Sequence, residues 1–142
     1  MDIQISGRKR IPGLARQTIR REMTKVLDDL GCLEGELSIL LTDDEHIAEL
    51  NNRYRGKEGP TNVLAFPMSE SNAGMLGDIV ISLDTARREA DACEEPLPLT
   101  VFRLLIHGLL HLIGYDHETS EEEAARMEEA QERLLARVDP GT

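Results

Sequence analysis

Three of the chain's four histidines fall within eleven residues, at His107, His111 and His117. On an α-helix four residues advance about 400° and 6 Å, so His107 and His111 project from one face a turn apart, and both rings can reach one metal ion. Were the helix to continue, His117 would stand about 280° round and 15 Å along from His107, out of reach. Gly114 lies between them. Glycine takes positive φ at a helix C-terminus without the Cβ penalty, so the spacing predicts a turn there that swings Tyr115, Asp116 and His117 back over the first two rings. Three imidazoles suit one Zn²⁺ per chain, with nitrogen bonds of roughly 2.0–2.1 Å and a fourth tetrahedral position left for water. The competing reading, core histidines satisfied by backbone carbonyls, needs a buried partner for each ring on an otherwise apolar helix. His46, beside Asp43, Asp44 and Glu45, reads as a solvated side chain.

The ligand spacing is that of the metzincin proteases, HExxHxxGxxH, with one difference: the position of the catalytic glutamate is Gly108. In those proteases the glutamate takes the proton from metal-bound water and passes it on. Without it a metal can still acidify its water toward a pKa near roughly 7, but the proton shuttle must come from elsewhere. Asp116 is the nearest carboxylate in sequence. It reads either as a hydrogen-bond partner that fixes a histidine ring or the turn, or as a proton relay.

Positioning these residues requires a frame. Ile3 and Ile5 alternate as a short first strand, and Pro12 opens a segment whose apolar residues, Leu14 to Leu30, recur at helical spacing until Gly31 ends it. Leu37, Ile39 and Leu41 alternate as a strand, and Thr42 is read as the cap of a helix running to about Asn52. Val63 to Phe66 and Asp78 to Ser82 read as two more strands, with a polar loop, Met68 to Gly77, between them that is expected to border the substrate cleft. Thr85 to Cys93 reads as a short helix. Pro98 then introduces the most apolar segment, which predicts a central buried helix carrying His107 and His111. Ser120 with Glu123 has the form of a capping box for a last helix. The expected fold is a single α+β domain over residues 1–142, one mixed sheet of about four strands packed with about five helices.

The chain carries 16 Lys and Arg against 27 Asp and Glu, a net charge of −11. That balance argues against a general nucleic-acid-binding surface, which needs clustered cations to neutralise phosphates. The charge is uneven, however. The first 25 residues hold seven basic residues against Asp2 and Glu22, so a local basic face is expected, with Arg16, Arg20 and Arg21 as candidate substrate-binding residues. No apolar run approaches a membrane span, and no signal sequence or lipidation motif is read at the ends, so the expected address is the cytoplasm, without a membrane partner. Cys32 and Cys93, without CxxC spacing, read as reduced packing cysteines.

The run HGLLHLIGYDH, from His107 to His117, resembles the signature of the YbeY family of bacterial endoribonucleases, the rRNA maturation factors. Tyr54-Arg55-Gly56-Lys57 leading to Pro60-Thr61-Asn62-Val63-Leu64-Ala65-Phe66-Pro67 agrees with it, as do Leu76 to Ser82 and the Met127, Gln131, Glu132, Leu134 pattern, so the likeness covers most of residues 36–135. The resemblance implies an α+β fold with zinc on the three histidines and single-strand-specific RNA cleavage. It also implies work on small-subunit rRNA ends and ribosome quality control, and a functional arginine at Arg55. Ala65 stands where the family commonly has serine. Arg suits bidentate phosphate contact, so Arg55 is the candidate phosphate clamp. Two other classes compete: a metal-dependent peptidase, disfavoured by Gly108, and a non-catalytic ribosome-assembly module whose acidic surface meets basic small-subunit proteins or an assembly GTPase.

Overall fold

The computed structural model describes residues 2–32, 34–67, 75–115 and 120–141. In chain order the elements are β1 (Asp2–Ser6), α1 (Arg16–Asp29), β2 (Glu36–Thr42), α2 (Asp44–Arg55), β3 (Val63–Pro67), β4 (Met75–Ser82), α3 (Leu83–Ala92), α4 (Leu97–Leu112) and α5 (Glu121–Leu135). The four strands form one mixed sheet in the order β1-β2-β4-β3, with β1, β2 and β4 parallel and β3 antiparallel to β4. The α+β class, the mixed sheet and the central apolar helix agree with the reading of the sequence.

Strand side chains alternate between two apolar layers, as the pleat requires. Leu37, Ile39, Leu41, Ile79 and Ile81 face a large core shared with α1, α3, α4 and α5. Val80 and Leu64 face the other way, where Ile47 of α2 closes a smaller cluster with Leu40, Leu50 and Phe66 against it. Helix α4 is the centre of the large layer: Val101, Phe102, Leu105, Ile106, Leu109 and Leu110 are fully buried. Among the described residues, no helix is long and apolar enough to cross a membrane.

Several element ends differ from the expected ones. Thr42 belongs to β2, paired with Ser82, so Asp43 caps α2 instead, accepting the His46 N–H at 2.9 Å. Helix α1 starts at Arg16 rather than near Pro12, because Ile11 and Leu14 first form a small bridge. Ser82 caps α3, and β4 takes in Met75 to Gly77. Ser120 accepts the Glu123 N–H at 3.0 Å, but the Glu123 carboxylate pairs with Arg126 rather than reaching back, so only half of the capping box forms. Cys32 packs half-buried against the core, whereas Cys93 is exposed.

The carboxyl-terminal segment is tied to α1 through Glu22, a carboxylate only 2% exposed. Burial alone would raise its pKa, yet hydrogen bonds from Lys25, the Asp139 N–H and Arg21 outweigh that and hold it at about 2 instead of 4.5. A depressed carboxyl stabilises the fold above its unfolded pKa, and that contribution fades as pH falls through the folded value. Discounted for the half-exposed Arg21 and Lys25, Glu22→Gln is expected to cost about 2 kcal/mol near pH 7. Urea unfolding should show that gap narrowing as pH drops from about 5 toward 2; a pH-independent gap would refute the account.

Candidate functional site

Helix α4 delivers two imidazoles to the β3 edge of the sheet. The His107 and His111 rings meet edge to face, centroids 4.7 Å apart, with their Nε2 atoms 3.2 Å from each other. The other nitrogen of His107, Nδ1, lies 2.9 Å from Gln131 Oε1 on α5. A carbonyl oxygen accepts, so His107 donates from Nδ1, and the lone pair of the neutral ring is then on Nε2, the atom that faces His111.

This arrangement passes a simple test for a metal. Two nitrogens at about 2.05 Å from a tetrahedral ion are separated by about 3.3 Å, close to the observed 3.2 Å. The donor set is chemically suited as well, since the Gln131 contact is the kind of outer partner that fixes a ligating tautomer. Among the described residues no group of three metal-binding side chains occurs. The expected third ligand, His117, lies outside the described residues, as do Asp116 and most of the loop that opens at Met68.

The turn that would bring His117 back is described as far as Tyr115. Gly114 has φ of +109°, its N–H bonds His111 O, and the Tyr115 N–H bonds Leu110 O at 3.0 Å. These are the two bonds of a Schellman ending, which needs a positive φ at the glycine position. Tyr115 lines the same cleft as the histidines.

That cleft has a volume of about 810 Å³ and runs along β3, between α4 and the end of α2. Arg55, the last residue of α2, lines it together with Tyr54, Thr61 and Asn62. Helix α2 is held at both ends. At its start Asp44 accepts from Ser82, Thr85 and Arg88; burial would raise its pKa, but these bonds leave it lowered. At its end Gly56 forms a left-handed cap, and the buried Asn51 donates to Gly59 O at 3.0 Å, holding the chain that leads into β3. Asn62 is fixed by donating to Glu89 at 2.9 Å. Ala65 lines the cleft without a hydroxyl to offer.

Gly108 has a packing reason. A Cβ there would meet Ile79 Cγ2 at 3.1 Å and Val63 Cγ2 at 3.4 Å, so a glutamate stem would find room only by shifting these side chains or lifting α4 from the sheet. The missing carboxylate is therefore the counterpart of a close helix–sheet approach that sets the two histidines beside β3.

Arg16, Arg20 and Arg21 are not brought to this cleft. Strands β1 and β3 occupy opposite edges, three strand spacings or about 14 Å apart. Arg16 donates to the carbonyls of Ile5, Gly7 and Lys9, and Arg20 to that of Ile3, so both cover the open edge of β1. Arg21 pairs with Glu22. Arg16 also borders a separate cavity with Arg8 and Arg10. The expectation that these cations join Arg55 in one basic cleft does not match the structure, because the edge carbonyls and Glu22 engage them. Conversely, the sequence offers Gln131 only as part of the Met127, Gln131, Glu132, Leu134 pattern of the last helix and assigns it no role at the histidines.

Comparison with known proteins agrees with this geometry. The family model described as Endoribonuclease YbeY matches residues 3–139. A protein named Endoribonuclease YbeY from Syntrophotalea carbinolica is 40% identical over 142 residues, covering 96% of this chain and 95% of the relative. One of the same name from Rhodopseudomonas palustris is 46% identical over 132 residues, covering 87% and 69%. Another from Aquifex aeolicus is 46% identical over 114 residues, covering 79% and 76%. A solution structure of a Thermotoga maritima protein superposes with a TM-score of 0.71 at 26% identity, covering 96% of this chain and 88% of that one. With a family model spanning nearly its whole length and relatives this similar, the chain belongs to the endoribonuclease YbeY family.

Proposed function

We propose that this protein is a zinc-dependent, single-strand-specific endoribonuclease of the cytoplasm, acting on small-subunit rRNA ends and in ribosome quality control. The observation that carries the reading is the convergence of His107, His111 and Arg55 on one cleft, in a chain whose relatives are named endoribonucleases. His107 and His111, with His117 as third ligand, would hold the ion, which when bound supplies Lewis-acid stabilisation of negative charge at a phosphodiester. Arg55 grips the non-bridging oxygens of that phosphate through its planar, two-pronged guanidinium. Gln131 keeps the His107 proton on Nδ1, which makes Nε2 the ligating nitrogen. Asp116 is kept as a candidate partner for a histidine ring or proton relay.

RNA brings its own 2′-hydroxyl beside each phosphate, so the lack of a carboxylate at position 108 handicaps a nuclease less than a peptidase. The net charge of −11 leaves acidic surface for basic small-subunit proteins, with an assembly GTPase as a further proposed partner. The test is incubation of the purified protein with single-stranded and duplex oligoribonucleotides. Cleavage of the single strand alone is expected; an inert, zinc-loaded protein would defeat the reading. Gln131→Leu, which keeps bulk but removes the acceptor, is expected to weaken zinc affinity about 10- to 100-fold in a competition titration. An unchanged affinity would mean that Gln131 does not orient the ligand.

A further inference from the structure

The chain is poor in aromatic residues, with two tyrosines, two phenylalanines and no tryptophan. Phe102 is fully buried in the core, and the other three, Tyr54, Phe66 and Tyr115, all line the histidine cleft. Among the described residues Tyr54 is the one large hydrophobic side chain left exposed, at 61%. A lone exposed aromatic is ordinary on a protein surface and by itself carries no meaning. Tyr54 differs in being braced and in where it stands. Its ring packs edge to face on Phe66, with centroids 5.3 Å apart and an interplanar angle of 63°, and Phe66 in turn packs on the small cluster of Ile47, Leu64 and Val80. Its neighbour in the last turn of α2 is Arg55, which lines the same cleft.

We infer that Tyr54 is a nucleobase-stacking platform, on which a base next to the scissile phosphate of single-stranded RNA lies while Arg55 holds the backbone. The inference rests on the nuclease reading and deepens it. Every base has a π-face, so stacking on an exposed aromatic ring is tolerant of sequence, and it is open only to bases not already paired in a helix. A ring held by Phe66 loses little freedom on binding, and the cation beside it supplies the backbone contact that stacking alone lacks. The platform therefore selects unpaired strands by the availability of a base rather than by its identity.

The test compares steady-state cleavage of one single-stranded RNA by wild type, Tyr54→Ala, Tyr54→Leu and Tyr54→Trp. Thermal melting confirms that each variant is folded, and quenching of 2-aminopurine scanned along the strand reports stacking. Base–aromatic stacking lost on truncation corresponds to a rise in KM of about 5- to 100-fold, so Ala and Leu should both show that rise, with the effect on KM larger than on kcat. Trp should stay within about threefold of wild type, and one position of the strand should be quenched by wild type but not by Ala. If Leu restores the wild-type KM, Tyr54 is apolar packing and the platform is wrong. Equal KM and equal quenching in all four proteins would also overturn it while leaving the nuclease reading intact. A wild-type protein that neither binds nor cleaves the strand would overturn both.

Discussion

Replacing His111 by alanine is expected to lower cleavage of single-stranded RNA by about 10³-fold or more. In the proposed three-histidine site, losing one ligand would remove most of the charge stabilisation that a bound metal supplies, several kcal/mol at the transition state, and each 1.36 kcal/mol is a factor of ten. The fold should survive. His111 is half-buried and lies near the end of α4, and the fully buried apolar residues of that helix are untouched by the change. The measurement is single-turnover cleavage together with thermal melting. A folded His111→Ala protein with wild-type activity, free of contaminating nuclease, would show that the histidine pair has no part in catalysis.

Arg55→Ala is the second large effect, expected at about 10²-fold in kcat/KM, the scale of a charge-assisted contact to phosphate. Arg55 is exposed, and among the described residues no hydrogen bond or ion pair engages its guanidinium, so the fold has little to lose and melting should be unchanged. Arg55→Lys separates charge from geometry. A point charge without the planar fork should recover part of the lost activity but not all of it. Full recovery by lysine would make Arg55 a general electrostatic contributor rather than a two-pronged clamp. No loss in either variant would remove it from the mechanism.

The parts of this site visible in the sequence are those set by local periodicity. The i, i+4 spacing of His107 and His111 on an apolar run, and a glycine just past it, specify a helix face and its ending without knowledge of the rest of the fold. Arg55 was legible only by its company, since nothing local to an arginine after a helix says that a cleft lies in front of it. The arginines of the first helix show the opposite case. Their net charge suggested a binding face, but β1 lies at a sheet edge, and its unpaired carbonyls accept from the guanidinium groups of Arg16 and Arg20. Strand order is a long-range property, and no count of charges along the chain contains it. Gln131 and the tight seat of Gly108 were hidden for the same reason: each depends on which element packs against α4.

The central claim, a zinc site that drives RNA cleavage, is tested most directly by stripping the purified protein of metal, measuring cleavage of a single-stranded RNA, and restoring zinc in steps. Activity should vanish on stripping and return in proportion to bound zinc, reaching its plateau at about one ion per chain in wild type and failing to return in His111→Ala. A metal-free wild-type protein that cleaves at the undiminished rate, or a plateau that the His111→Ala protein also reaches, would contradict the account.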